Sequence, residues 1–551
     1  MQNLHLKYCT EGFDENGILN KFEIHYPETF NFAYDVVDEL ARTEPDRRAM
    51  VWCNPEGKER TFTFGDMKKY SDQAANLFQS LGIQKGDRVM LVLKRHYQFW
   101  FAILALHKLG AIGIPGTNLL TKKDFVYRFN MAGVKAIICT GQGEAAEHVD
   151  AAQPETPTLV TKVMVNGERD GWVDFDAELA KQSDIFEKVD MRVSDPMLLY
   201  FTSGTTGQPK MVQHDHSYPL AHILTAKHWH HIDPEGLHLT ISETGWAKSV
   251  WGKLYGQWLM EGGIFVYDFD KFNPADMMQH LQDYKITTFC APPTMYRFFI
   301  KEGIENYDLS SLRYATIAGE ALNPEVFSKF KEYTGLKLME AFGQTETTVL
   351  IANTVGMEPK PGSMGKPSPQ YDIDIVDENG NTVPAGEVGE IVIRTDKGKP
   401  AGMFCGYYQN QEMTDSVWHD NLYHTGDTAW RDEDGYFWYV GRTDDVIKAS
   451  GYRIGPFEIE SVLMEHPCVL ECAVTGAPDP IRGQVVKATI VLARGYTASD
   501  ELKKELQDYV KKQTAPYKYP RIVEFVDELP KTISGKIRRV QIREEDRGDK
   551  K

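Results

Sequence analysis

Residues 197–210 read MLLYFTSGTTGQPK, an apolar run from Met197 to Phe201 that opens directly into Thr202, Ser203, Gly204, Thr205, Thr206, Gly207, Gln208, Pro209 and Lys210. A strand that ends in glycines, hydroxyls and a lysine builds a loop suited to a polyphosphate. Glycine lets the backbone approach closely, hydroxyls and N–H groups donate to oxygens, and lysine supplies charge. The spacing is not GxxxxGK[ST], because Pro209 precedes Lys210 and Met211 follows it, so this is no Walker A loop. Further strand-like runs flank the loop along the first four-fifths of the chain, at Arg88–Leu93, Lys135–Cys139, Ile264–Tyr267, Thr287–Ala291 and Tyr314–Ala318. Amphipathic stretches separate them. That alternation predicts an α/β fold with largely parallel sheets and flanking helices.

The texture changes after Tyr371. Runs at Asp372–Val376, Glu390–Arg394 and Tyr436–Val440 alternate in polarity and are bounded by Glu378-Asn379-Gly380 and Glu433-Asp434-Gly435, which predicts antiparallel hairpins. A last unit starts near Gly441. Its expected parts are a helix opened by Pro456 with Ile459, Val462 and Leu463 on one face, strands over Leu470–Thr475 and Val485–Leu492, and a helix carrying Leu502, Leu506 and Val510. The charged tail Arg543–Lys551 reads as frayed. The predicted division is a large domain over 1–443 and a small α+β domain over 444–551.

Composition narrows the function. A chain of 551 residues exceeds one ordinary hydrophobic core. With 61 basic against 79 acidic residues, net charge −18, a general nucleic-acid binder is excluded, so an anionic substrate must be held by local positive groups. The N-terminal MQNLHLKYCTEGFDENG has no apolar signal core, and the most apolar stretch, Phe99–Pro115, is interrupted by His107 and Lys108. It reads as a buried helix followed by a strand, leaving no integral membrane segment. Seven scattered cysteines form no disulfide framework and suggest reduced thiols in the cytoplasm. His466, Cys468 and Cys472, and the histidines between His214 and His238, have no ligand spacing and read as core residues.

Five more segments carry chemistry. Ala318-Gly319-Glu320-Ala321 follows one strand; Leu336–Glu340 runs into Ala341-Phe342-Gly343-Gln344-Thr345-Glu346; Tyr423-His424-Thr425-Gly426-Asp427 precedes Gly441-Arg442-Thr443-Asp444; and Leu529-Pro530-Lys531-Thr532-Ile533-Ser534-Gly535-Lys536 closes the set. Taken in order, with the 202–210 loop, they resemble the motifs of the adenylate-forming superfamily: acyl-CoA synthetases, luciferase-like enzymes and adenylation domains. The resemblance spans about Glu39 to Arg539.

It implies a large domain containing a distorted β-barrel, a mobile small domain, and activation of a carboxylic acid by ATP with Mg²⁺, followed by transfer to CoA. ATP and AMP would be bound by Thr202 through Gly207 and Lys210, by Gly319, Glu320 and Ala321, and by Glu340 through Thr345. Phe342 would stack on adenine; a tyrosine is common there, and only a hydroxyl is lost. Asp427 and Arg442 would hold the ribose, and Arg453 a phosphate. Thr345, Glu346 as the Mg²⁺ ligand, and Lys536 would be catalytic. Asp444 would be the hinge. Ser450, Gly451, Tyr452, Arg482, Lys511, Tyr519 and Arg521 would meet CoA.

Glu243-Thr244-Gly245-Trp246 resembles the TGW segment of medium-chain acyl-CoA synthetases, with Glu243 where aspartate is usual. Trp246 and Gly343 would border the acyl pocket. A medium-chain, branched or aromatic acid is the expected substrate. A short-chain CoA ligase and a carrier-loading adenylation enzyme remain open, as does homo-oligomerisation.

Overall fold

The structure is a computed structural model that describes residues 3–202, 209–319, 322–449, 452–480, 482–532 and 536–547. Two large sheets build the first part of the chain. One has seven strands in the order Lys210–Asp215, Pro196–Thr202, Ile112–Pro115, Arg88–Val92, Ala136–Thr140, Thr161–Val165 and Val173–Asp174. All its neighbours are parallel except the hairpin between the first two, which closes the 203–208 loop by pairing Thr202 with Lys210. The other sheet has nine strands, with the parallel set Leu338–Gly343, Tyr314–Ile317, Thr288–Ala291, Leu237–Thr240, Gly263–Tyr267 and Arg48–Cys53 at its centre. Every strand foreseen from the apolar runs is present.

The Phe99–Pro115 stretch is the helix Gln98–Leu109, terminated by Gly110 at φ +68°, and the strand Ile112–Pro115. Its polar residues are buried because each finds a partner. His107 Nε2 lies 2.8 Å from the Tyr255 hydroxyl, and Lys108 Nζ donates to Asp38 at 2.7 Å and Asp72 at 2.5 Å. A buried ammonium is tolerable only with such compensation. No helix among the described residues is long and apolar enough to cross a membrane.

After Tyr371 the chain forms a five-stranded antiparallel sheet, the half-barrel, from Asp372–Val376, Gly389–Arg394, Trp418–His419, Leu422–Arg431 and Phe437–Arg442. The C-terminal domain follows, with a separate apolar core that includes Ile447, Ile459, Leu463, Val474, Leu506, Val510 and Val523. Its long strands Val469–Asp479 and Gly483–Leu492 pair antiparallel, and the helices Pro456–Met464 and Asp500–Gln513 flank them.

One expectation fails. The segment Arg543–Arg547 is not frayed: it belongs to the helix Arg539–Arg547. Arg539 bonds Glu460 through Nη2 at 2.7 and 2.6 Å, and Arg543 pairs with Asp445. A charged tail looks solvated in sequence because its partners lie 79 and 98 residues upstream.

Candidate functional site

Four segments that are far apart in sequence converge where the nine-stranded sheet meets the half-barrel. Strand Leu338–Gly343 ends at Gly343, which must be glycine because a Cβ there would lie 2.3 Å from the Thr348 carbonyl. The turn that follows presents Gln344, Thr345 and Glu346.

Gln344 is the joint. Its Nε2 donates to Asp427 Oδ2 at 2.6 Å and to the Thr425 carbonyl at 2.8 Å, while its Oε1 accepts from the Tyr423 hydroxyl at 2.8 Å. Asp427, only 4 % exposed, also accepts from the Tyr439 hydroxyl at 3.0 Å and from Arg442 Nη1 at 3.2 Å. Burial raises its pKa, and Arg442, Tyr439, Gln344 and the charge of Lys536 oppose that rise. Lys536 is exposed on the C-terminal domain. Phe342 stays half-buried with its ring 6.1 Å from that of Tyr439.

The other side of the turn is fixed from below. His214 Nε2 donates to the Thr345 carbonyl at 2.7 Å, and burial lowers the pKa of His214 to about 4, so the ring is neutral. His214 also stacks on Tyr218 at 3.9 Å. The neighbouring histidines serve packing in the same way: His230 Nδ1 meets Thr316 Oγ1 at 3.0 Å, and His238 meets Thr288 and Thr240. Glu346 accepts from the Tyr407 hydroxyl at 2.9 Å. Lys210 lies with its ammonium 5.1 Å from the Tyr407 ring centre, and burial lowers its pKa. Ser203, Gly204, Thr205, Thr206 and Gly207, together with Glu320, Ala321, Ser450 and Gly451, lie outside the described residues, as does the side chain of Arg453.

Glu340 differs in kind from its neighbours. Its carboxyl is wholly buried and its Oε1 accepts from Leu322 N at 3.4 Å, so it props the loop that begins at Gly319. Burial raises its pKa to about 8.

Glu243 reaches further than an aspartate could. It accepts from Thr117 Oγ1 at 2.8 Å and Asn118 N at 3.2 Å. Gly245 lets its chain pass the Gly116–Thr117 backbone, where a Cβ would come within 2.4 Å. Half-buried Trp246 then precedes the helix Ala247–Lys253, which Lys248 ties to the Ala318 carbonyl at 3.1 Å.

On the C-terminal domain, Lys511 and Arg521 both lie over the Tyr519 ring, at 4.1 and 5.0 Å from its centre. Tyr452 stacks on Tyr517 at 4.1 Å. Arg482 sits in a turn whose backbone N donates to Asp479, and no described contact joins it to the Tyr519 group.

Tyr407, Tyr439 and His214 support the site but carry no motif of their own, and Tyr423 supports it from within one. Tyr423 heads a quoted segment and could have been noticed. Tyr439 is placed by strand register, being paired with Ala429 two residues from Asp427.

Comparison with known proteins agrees with this geometry. A family model described as AMP-binding enzyme matches residues 37–408, and one described as AMP-binding enzyme C-terminal domain matches 458–536. The chain is 44% identical over 545 residues to acyl-coenzyme A synthetase ACSM4, mitochondrial, of Rattus norvegicus, covering 97% of this chain and 94% of that protein. It is 44% identical over 532 residues to human acyl-coenzyme A synthetase ACSM5, mitochondrial, covering 95% and 91%. Among solved structures it is similar to an anthranilate CoA ligase in complex with anthranoyl-AMP, with a TM-score of 0.87, 29% identity and coverage of 95% and 98%. The site and these likenesses converge on one conclusion: the chain belongs to the AMP-binding enzyme family.

Proposed function

We propose that the protein is an AMP-forming acid–thiol ligase that converts a carboxylic acid to its CoA thioester through an acyl-adenylate. The observation that carries the reading is the hydrogen-bonded meeting of Gln344, Asp427 and Arg442 at one place, since these come from three separate motifs, with the charge of Lys536 acting on the same carboxylate. A buried carboxylate held open by a glutamine, a tyrosine and an arginine suits a pair of ribose hydroxyls. Phe342 offers a flat face for adenine, and Lys210 and Thr202 border the loop for the outer phosphates.

The acid's carboxylate oxygen attacks the α-phosphorus and pyrophosphate leaves. Lys536 and Thr345 stabilise the charge that builds on the phosphate, and positioning supplies most of the rate. The carboxylate of Glu346 is a hard oxygen donor fixed by Tyr407, which fits Mg²⁺; when bound, the ion would offset phosphate charge. In our reading the small domain, 444–551, then pivots at Asp444, withdraws Lys536 and admits CoA between Gly451 and the large domain. The thiolate attacks the acyl carbon, and AMP departs. Arg482, Lys511, Tyr519 and Arg521 are the proposed nucleotide contacts of CoA, with Ser450, Gly451 and Tyr452 along the pantetheine path.

A medium-chain, branched or aromatic acid is the proposed substrate, on the resemblance of Glu243-Thr244-Gly245-Trp246 to the TGW segment of medium-chain acyl-CoA synthetases. All seven cysteines are unpaired, which fits a reducing compartment, and we propose the cytoplasm. The deciding experiment is acid-dependent ATP–pyrophosphate exchange across C2–C10 straight, branched and aromatic acids, followed by turnover with CoA and with a holo-carrier protein. Absence of exchange with every acid overturns the reading.

A further inference from the structure

The segment Phe404–Tyr408 belongs to none of the motifs above, yet it stitches two of them together. Along one edge it runs beside the strand that follows the phosphate loop. Cys405 N donates to Gln213 O at 2.7 Å, Gln213 N to Gly406 O at 3.2 Å, and Tyr408 N to Met211 O at 2.8 Å. At its start, Phe404 N donates to the Glu346 carbonyl at 2.7 Å. One short length of chain therefore sets the distance between the Lys210 strand and the Glu346 turn.

Tyr407 repeats that link with its side chain. It is 6 % exposed, its backbone N is held by Thr414 Oγ1 at 2.9 Å, and its ring packs edge-on against Phe404 at 5.1 Å. A ring so confined cannot swing. Its hydroxyl donates to Glu346 Oε1 at 2.9 Å, and its face lies 5.1 Å from the Lys210 ammonium. One side chain thus touches both an anion and a cation of the site, each by the part of the phenol suited to it: the O–H to the carboxylate, the π face to the ammonium.

We propose that Tyr407 is a positioning residue that holds Glu346 and Lys210 in fixed relation, so that a divalent cation and the polyphosphate of ATP are received in a single geometry. The inference rests on the ligase reading for the identity of the nucleotide, and its test is separable from it. By donating to Oε1, the hydroxyl restrains the Glu346 carboxylate and leaves Oε2 as the oxygen that would meet a metal. Partners of this kind orient metal-binding carboxylates, and their loss typically costs about 10–100-fold in metal affinity.

The test uses the full chain and two variants. Tyr407→Phe keeps the ring and removes only the hydroxyl; Tyr407→Leu removes the face beneath Lys210 as well. Mn²⁺ binding is titrated by electron paramagnetic resonance in the presence of α,β-methylene-ATP, a measurement that needs no turnover. Tyr407→Phe is expected to weaken Mn²⁺ binding by roughly 10-fold. It should raise the Mg²⁺ concentration for half-maximal pyrophosphate exchange in parallel, with kcat at saturating Mg²⁺ and the KM for the acid close to wild type. Tyr407→Leu should add a rise in the KM for ATP.

Unchanged Mn²⁺ affinity in Tyr407→Phe overturns the proposal, and so does an equal loss of activity at every Mg²⁺ concentration, which marks a merely structural role. A wild-type enzyme that binds nucleotide and Mn²⁺ but activates no acid sinks the ligase reading alone.

Discussion

Gln344 and Asp427 lie 83 residues apart and meet in a 2.6 Å hydrogen bond that fastens the nine-stranded sheet to the half-barrel. The glutamine aims a buried carboxylate and opposes the rise in pKa that burial causes. A hydrogen bond to a charged group contributes about 1.5–3 kcal/mol. Gln344→Ala should therefore lower kcat/KM for ATP by roughly 10–100-fold, with a smaller effect on the KM for the acid. An ATP dependence indistinguishable from wild type would remove Gln344 from the nucleotide site.

In the proposed mechanism Lys536 acts on the first half-reaction only and withdraws before a thiol enters. Lys536→Ala should slow acyl-adenylate formation by about 10²–10³-fold and leave thioester formation from supplied acyl-adenylate near wild type. Single-turnover assays of the two steps decide it. Equal loss in both would assign the lysine elsewhere.

Asp444 stands between two arginines: Arg442 Nε is 4.0 Å from its Oδ1 and Arg543 Nη2 is 3.8 Å from its Oδ2. Arg442 belongs to the half-barrel and Arg543 to the last helix, so a pivot at Asp444 alters at least one of these pairs. The Arg543–Asp444 pair is open to solvent on the Asp444 side, 40 % exposed against 12 % for Arg543, and such a pair contributes about 1 kcal/mol, or roughly 5-fold. Arg543→Ala is expected to slow adenylation by that factor and spare the thiol step. A variant that slows only the thiol step contradicts the arrangement.

Glu340 gives stability a pH dependence. The folded protein keeps its proton up to about pH 8, whereas the unfolded chain releases it near 4.5. Folding takes up a proton between those values, so stability falls as pH rises through that window, by at most about 1.4 kcal/mol per pH unit. Below 4.5 the penalty is absent, and above 8 it is constant. Glu340→Gln retains an acceptor for Leu322 N–H, and it should raise the melting temperature at pH 8 more than at pH 5.5. Parallel shifts at the two pH values would show that Glu340 is not the linked group.

The sequence announced the strands well, because each apolar run is bounded by turn residues and none depends on a distant partner for its polarity. Motif order likewise grouped Phe342, Glu346, Asp427 and Lys536 as one expected set, and the structure brings the Gln344 turn, between Phe342 and Glu346, against Asp427. The supports were hidden for a common physical reason: Tyr407, Tyr439 and His214 look like ordinary core aromatics until tertiary packing aims one polar atom of each at the site. The tail was misread for the opposite reason. Arg543 has the composition of a solvated end, and only the distant Asp444 and Asp445 make it a fixed one.

The helix Arg539–Arg547 starts three residues beyond Lys536 and is clamped at Arg539 and Arg543. Trimming the chain into this helix would remove one or both clamps and slacken the segment that carries Lys536.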